Sequence, residues 1–269
     1  MRGASAESLA RLSGTLDGLL SGGGSDGVGA TLGADLLGAT AVLRDQVALR
    51  RSATDPSAPA EVKSALLKGV FSGHVGVGAL GILGEAGGLR WASGADLVAA
   101  LEQLGVAALV RGADATGEGD RLEEELFSFE RIVSGSPELR SALSDPSRSV
   151  SDKQALVTGL LDGKASTATI RLVGEAIASG TTTQTLQRYI KSAAQIRNRQ
   201  VATVRVVQPL NAEQTQRLAA ALSENGTAVH LNVIVDPDVV GGIRVEMGDH
   251  VIDGTVASRL DDARRKIAG

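Results

Sequence analysis

Most of the chain follows the hydrophobic period of amphipathic helices. Apolar side chains within residues 5–20 recur every three or four positions, at Leu9, Leu12, Leu16 and Leu19. Because an α-helix has 3.6 residues per turn, residues at this spacing lie on one face of the helix, which can pack against a core. The same period predicts helices over 95–111, 167–178 and 182–197, and over the segment that contains Leu122, Leu126, Phe129, Ile132 and Val133.

The segment Ser144-Asp145-Pro146-Ser147 interrupts this helical pattern. Proline cannot continue a helix, and it disfavours helical geometry at the residue before it. Ser151 stands before the next apolar run, so it is expected to cap the helix that follows.

After Arg199 the pattern changes from helix to strand. The β-branched residues of 201–207 predict one strand, and those of 229–235 predict a second. Between them, Asn211 and Gln214 have the spacing of a capping box, which predicts the start of a helix.

Ile243, Val245 and Met247 alternate with Arg244 and Glu246. This period of two is typical of a strand with one buried face. The segment therefore predicts a third short strand close to the C-terminal end.

Two turns flank that strand. Gly241-Gly242 follows Asp236-Pro237-Asp238, and glycine tolerates the positive φ of a sharp turn. Gly248-Asp249-His250 predicts a hairpin turn, with Val251-Ile252-Asp253 as the returning strand. Residues 255–267 are predicted to close the chain as a helix.

Residues 49–86 repeat at 139–176 with an ungapped shift of 90. The alignment gives 13 identities in 38 positions, including Asp55-Pro56-Ser57 on Asp145-Pro146-Ser147. Chance would give roughly one in ten for this composition. Two copies are too few for a solenoid, so duplication of a helical module is the simpler interpretation.

These patterns predict an α+β protein with mostly helical N-terminal bundles in two related copies. Residues 1–92 form the first, extra copy and residues 93–200 form the second. Residues 201–269 are predicted to be a small C-terminal α/β domain with short strands and a terminal helix.

Composition narrows the function. A chain of 43% hydrophobic and 22% charged residues is globular, and its 2% aromatic content argues against base-stacking or sugar-binding surfaces. With a net charge of −4, no nucleic-acid partner is expected. The basic residues Arg188, Lys191, Arg197 and Arg199 are interpreted as a solvated helix face.

Cysteine is absent, which excludes disulfides and zinc sites of the Cys type. No stretch reaches the roughly 18 apolar residues that a membrane span needs, and the start of the chain lacks an apolar signal core. Membrane contact is therefore expected to be indirect, through a partner.

Two glycine motifs resemble nucleotide-binding sites but lack other features that such sites require. Residues 76–81 match G-x-G-x-x-G without a predicted strand before them, and the second copy has no glycines at the equivalent positions. Gly163-Lys164 lacks the earlier glycine of a phosphate loop, since position 158 is Thr158. Asp249 and Asp253 are better explained by turn formation than by acid–base chemistry. No catalytic, cofactor-binding or metal site is predicted.

The C-terminal segment resembles the signature of the delta subunit of bacterial F-type ATP synthases, the oligomycin-sensitivity-conferring protein family. The residues that carry this resemblance are Asp236, Val239, Gly241, Gly242, Ile243, Val245, Glu246, Gly248, Asp253 and Gly254. The helical part, over about residues 95–200, is similar to that family's N-terminal bundle with weaker motifs. The usual bundle is a single copy, so residues 1–92 are an addition.

The resemblance implies a peripheral-stalk subunit, not an enzyme. Its helical bundle would bind the N-terminal helices of the alpha subunits of the catalytic head, beside the beta subunits. Its C-terminal domain would bind b-type stalk subunits at the cytoplasmic face of the cell membrane. Such a tether couples proton flow to ATP synthesis by holding the head against rotor torque, and which copy binds the head is left open.

Two other functions stay open at this point. One is a cytoplasmic helical adaptor outside the ATP synthase. The other is an unrecognised small-molecule-binding enzyme, which would need a buried titratable constellation that the sequence does not display.

Overall fold

The computed structural model of the protein describes residues 1–22, 27–197, 199–222, 228–237, 239, 241–247 and 250–254. Two compact units divide the chain, Met1–Ala193 and Ala194–Gly269. The first is helical and the second combines strands with a helix, so the predicted fold class is confirmed.

The helical region contains helices α1 to α11 in chain order. Those of the first half are α1 Ala4–Gly22, α2 Val28–Asp45, α3 Val47–Ala53, α4 Ala60–Phe71, α5 Val77–Gly88 and α6 Gly94–Ala115. The remaining ones are α7 Gly119–Gly135, α8 Pro137–Ser144, α9 Val150–Leu161, α10 Thr167–Ala178 and α11 Thr182–Ile196.

Ser149, not Ser151, caps α9, so that expectation was wrong. The Ser149 side chain accepts a hydrogen bond from the Asp152 backbone N–H at 3.1 Å. A cap bonds to the amide three residues on, and Ser151 already lies in the first turn of the helix.

The shift of 90 residues also relates the helices. It converts the bounds of α4 into those of α9, and the bounds of α5 into those of α10, at both ends. The turns before α4 and α9 match as well. Asp55 accepts a bond from the Ser57 amide at 2.8 Å, and Asp145 accepts one from the Ser147 amide at 2.9 Å.

Helix α6 packs against helices of both halves. It contacts α1, α2 and α3 on the one hand and α7 and α10 on the other. Leu101 and Leu104 lie in the core formed with α1, α2, α4 and α5, whereas Val106 and Val110, on the other side of the helix, are also buried. The division at residue 92 stays a prediction, and α6 joins the two halves into one compact unit.

Helices α2 and α6 approach each other at glycine positions. A Cβ atom on Gly33 would lie 2.8 Å from the Gly105 carbonyl oxygen, and one on Gly112 would lie 2.9 Å from the Ala30 nitrogen. The obstructing atoms are backbone atoms, which cannot move out of the way as a side chain can. Glycine is therefore required here so that the two backbones can pack closely.

We expect Gly33→Ala to destabilise the protein and Gly38→Ala, on the same helix, to stabilise it. The Gly33 methyl would clash with α6, at a cost of about 1–3 kcal/mol. Gly38 has open space around its Cβ position, so alanine there gains about 0.8–1 kcal/mol of helix propensity. Thermal or urea unfolding of both variants checks this. Equal effects of the two substitutions would contradict the close packing.

The C-terminal unit is a four-stranded mixed sheet with one crossover helix. Its elements are β1 Arg199–Val206, α12 Ala212–Leu222, β2 Ala228–Val235, β3 Ile243–Met247 and β4 His250–Asp253, in the strand order β2-β1-β3-β4. Strand β1 pairs parallel with β2 and antiparallel with β3, and β3 pairs antiparallel with β4.

Local sequence signals set up this unit. Asn211 and Gln214 form the predicted capping box, with the two reciprocal bonds at 2.9 and 2.8 Å. Alternation along β1 buries Ala202, Val204 and Val206 in a core that Leu218 and Leu222 of α12 pack against. The predicted helix over 255–267 lies outside the described residues.

Candidate functional site

The turn before β3 has the backbone geometry that its glycines predict. Gly241 has φ +66° and Gly242 has φ +82°. The Val239 amide donates to the Asp236 carbonyl at 3.2 Å, and the Gly241 amide donates to the Val239 carbonyl at 3.0 Å. Only glycine adopts two successive residues of positive φ without strain, so these positions serve chain reversal.

Charged residues of the same segment meet around Arg205 on β1. Its guanidinium lies 3.4 Å from the Asp236 carboxylate and 3.9 Å from that of Glu246. Arg244 lies 3.1 Å from Glu246. All four side chains are partly exposed, so each pair contributes little to stability.

The remaining signature residues build the hairpin of β3 and β4. Val245 is buried opposite Val204 of β1. Asp253 stands opposite Arg244 in the ladder, and the Gly254 amide donates to the Ile243 carbonyl at 2.9 Å. The returning strand begins at His250, one residue earlier than expected. Gly248 lies outside the described residues.

The signature therefore supports a fold and not a reaction. Its described residues contribute backbone turns, a buried valine and exposed ion pairs. No cluster of three or more His, Asp or Glu side chains that could hold a metal ion occurs in the part of the chain that the structure describes.

Neither glycine motif has the strand before it that a nucleotide site requires. A turn after helix α4 precedes Gly76, and residues 77–81 of that motif lie inside α5. Gly163, at φ +67°, occupies the turn between α9 and α10, and the Lys164 ammonium donates to the Leu160 carbonyl at 3.1 Å.

A partly buried ionic cluster, which the sequence did not predict, joins α2, α6, α10 and α11. The Arg44 guanidinium contacts the Glu175 carboxylate and lies 3.7 Å from that of Glu102. Glu102 also accepts hydrogen bonds from Arg188 at 2.6 Å and from the Tyr189 hydroxyl at 2.7 Å. Arg188, interpreted as a solvated residue, is thus paired.

Burial sets the direction of the pKa shift at two members of this cluster, Glu175 and Tyr189. It raises the pKa of Glu175, and the Arg44 guanidinium opposes part of that rise. Burial likewise raises the pKa of Tyr189, and the neighbouring Glu102 carboxylate raises it further. Since Glu175 is 7% exposed, its charge depends on Arg44 for compensation.

We expect Arg44→Met to cost about 1–3 kcal/mol of stability at neutral pH. This is less than a fully buried pair would cost, because Arg44 is 25% exposed. The double variant Arg44→Met/Glu175→Gln is the control, since it leaves no uncompensated charge. Urea unfolding of both should show that the second substitution recovers most of the loss.

The loss should also depend on pH. A carboxyl whose folded pKa exceeds its unfolded pKa stabilises the fold at low pH, and that contribution is lost as pH rises through the folded pKa. Without Arg44 the pKa of Glu175 rises further. The difference in free energy of unfolding between the wild-type chain and Arg44→Met should therefore become smaller toward pH ~4, near the ordinary pKa of glutamate. A deficit that is the same at pH 4 and pH 7 would contradict this account.

Equivalent carboxylates hold the start of α5 and of α10. Asp35 accepts a hydrogen bond from the Gly76 amide at 2.8 Å, and Glu125 accepts one from the Ser166 amide at 2.9 Å. Asp35 and Glu125 are themselves 90 residues apart, so the duplication extends beyond the aligned segment. That spacing was the sequence signal that could have identified them.

None of the helices that the structure describes combines the length and apolarity needed to cross a membrane. Several apolar side chains are nevertheless exposed on the helical unit, among them Val62, Val77, Ile132, Val150, Leu156 and Leu160. Apolar side chains that are exposed singly are normal on protein surfaces, so these positions alone do not mark a binding surface.

Comparison with known proteins identifies the family. Residues 106–267 match the family model described as the ATP synthase delta (OSCP) subunit. The chain belongs to this family. Similar proteins named ATP synthase subunit delta include one from Nocardioides sp., 49% identical over 89% of this chain and 88% of its own length. Those of Kineococcus radiotolerans and Thermobifida fusca are 41% and 38% identical, with at least 98% of both chains covered.

A delta-family chain is a structural subunit of the peripheral stalk, and this one is therefore a stator component of ATP synthase and not an enzyme. It takes part in ATP synthesis and hydrogen ion transport as a peripheral component of the membrane complex. The family model begins inside α6, so the first copy lies outside it. The relatives that match over the full chain share that additional region.

Proposed function

We propose that the two units of the chain hold two different parts of the ATP synthase. The helical unit binds the N-terminal helices of alpha subunits of the catalytic head, beside the beta subunits. The C-terminal unit binds b-type stalk subunits at the cytoplasmic face of the membrane. The observation that carries this proposal is the division at Ala193, which separates a helical unit from an α/β unit.

A subunit that holds the catalytic head in place needs a rigid structure and does not need catalytic groups. Rotor torque would turn the head unless a subunit anchored through the stalk resisted it. Helix α6, buried on most of its surface, links both halves of the helical unit. Its close contact with α2 leaves little room for one half to slide against the other.

The division of labour can be tested with two fragments. We expect residues 198–269 to retain b-type stalk subunits and residues 1–197, which keep α11 whole, to retain the catalytic head in pull-downs from solubilised membranes. The cut lies before β1, because that strand begins at Arg199 and a cut at 201 would shorten it. Full-length chain is the positive control for both partners. An exchange of partners between the fragments would contradict the proposal.

We expect Gly242→Val to uncouple the complex. A β-branched residue at φ +82° costs on the order of 1–3 kcal/mol of backbone strain, and a small unit has little stability to spare. The head should still hydrolyse ATP, because the tether supplies no catalytic group, whereas proton-driven synthesis should fall.

Both activities are measured in membranes that carry the variant. Val239→Ala, at a nearby signature position that is not one of the positive-φ glycines, is the matched control and should retain synthesis. Full ATP synthesis by a folded, bound Gly242→Val variant would show that this turn does not support attachment.

A further inference from the structure

An open pocket of about 450 Å³ lies in the first copy, where the end of α1 meets the starts of α2 and α5. Its walls include the apolar side chains Leu19, Leu32 and Ala79. Asp35 contributes the one carboxylate among the residues that line it. Among the described residues that line it, the pocket thus combines an apolar wall with one negative charge.

Asp35 has fewer hydrogen-bond donors than its equivalent in the second copy. Within the part of the chain that the structure describes, it accepts one hydrogen bond, from the Gly76 amide. Glu125 accepts three: from the Ser166 amide at 2.9 Å, from the Thr169 hydroxyl at 2.6 Å, and from Arg121 at 2.7 Å.

At Glu125 the hydrogen-bond donors lower the pKa of the carboxyl by more than burial raises it. Burial alone would raise the pKa of the Glu125 carboxyl, but the hydrogen bonds from Thr169, Ser166 and Arg121 together lower it. The second copy therefore satisfies its carboxylate with its own side chains, including a guanidinium.

The first copy has smaller side chains at the equivalent positions. Under the shift of 90, Arg121 corresponds to Thr31, Ser166 to Gly76 and Thr169 to Ala79. Thr31, Gly76 and Ala79 all line the pocket. The pocket therefore lies where the second copy places the donors of Glu125.

The helix surface beside the pocket favours close approach of another helix. Val77, the first residue of α5, is 89% exposed. Gly81, one turn further along the helix, is also exposed, and its Cβ position meets no atom within 4 Å. Gly81 therefore leaves room for a partner helix to approach this face.

We propose that this pocket receives an arginine side chain from an apolar helix of the catalytic head. The arginine stem packs along Leu19 and Leu32, and its guanidinium reaches Asp35, the role that Arg121 has for Glu125 inside the second copy. This rests on the proposed function, because the head is taken as the partner. It assigns the contact with the head to the first copy.

Charge complementarity is what identifies this occupant. A partly enclosed carboxylate gains most from a partner that is cationic and donates several hydrogen bonds in one plane. An apolar stem must accompany the charge because the pocket walls are apolar. Helix-in-groove recognition supplies both from one segment.

Affinity of the full-length chain for purified catalytic head that lacks it tests the proposal. Asp35→Asn removes the negative charge of the pocket. Thr31→Arg places an arginine of the same chain beside Asp35, as Arg121 lies beside Glu125 in the second copy. Each should raise the Kd about tenfold or more, because one partner of an interfacial charge pair is removed or already satisfied. Glu125→Gln, the equivalent change in the second copy, should leave the Kd within about twofold.

All three variants are compared at a temperature where circular dichroism shows them folded. Wild-type Kd values for both Asp35→Asn and Thr31→Arg would overturn the pocket proposal while leaving the proposed function intact. Failure of the wild-type chain to bind the head would instead overturn the proposed function.

Cross-linking provides a second readout that does not depend on affinity. Since the chain has no cysteine, Thr31→Cys and Arg121→Cys each give a unique site for a photoactivatable thiol reagent. We expect the label at position 31 to cross-link to an alpha subunit in the assembled complex and the label at position 121 not to. Cross-linking from 121 alone, or from neither position in an intact complex, would assign the contact elsewhere and overturn the proposal.

Discussion

The contact between α2 and α6 is the constraint on which the helical unit depends. Gly29, Gly33 and Gly112 let the two backbones meet where even a methyl group would clash with backbone atoms. This fixes α6 against the first half, while its other side is buried against α7 and α10. One helix therefore belongs to two packing arrangements, and the two halves move as one body for as long as that contact holds.

A tether under torque benefits from this arrangement. If the two copies were joined by a flexible linker, load applied to one would extend the linker before it reached the other. A shared helix transmits force through side chains that are already packed. The Arg44–Glu175 pair adds a directional contact between α2 and α10, and its burial makes it costly to break on one side only.

Much of the fold could be predicted because its signals are local. The positive φ values of Gly241 and Gly242 follow from turn chemistry, and the capping box of Asn211 and Gln214 needs only four residues. The alternation of Ile243 and Val245 likewise requires no knowledge of distant residues. Ser149 was missed because Ser151 precedes the same apolar run, and only the helix bounds decide between them.

Features that depend on distant contacts could not be predicted in this way. Arg44 and Glu175 are separated by 131 residues along the chain. The sequence around either residue gives no indication that the other is its partner. Glu175 stood in the aligned repeat beside its equivalent Glu85, yet the two have different partners, since Glu85 pairs with Arg11. A repeat identifies equivalent positions, but the environment of each position is set by what packs on it.

That difference between copies is the most direct guide to how the duplication is used. When a module is copied within a chain, positions that serve only folding can keep the same partners in both copies, as Asp55 and Asp145 do with their serines. Asp35 and Glu125 keep their carboxylates but differ in the donors around them. Among the described residues Asp35 has no cation in the place that Arg121 takes beside Glu125, and a cationic partner that binds at the pocket supplies one.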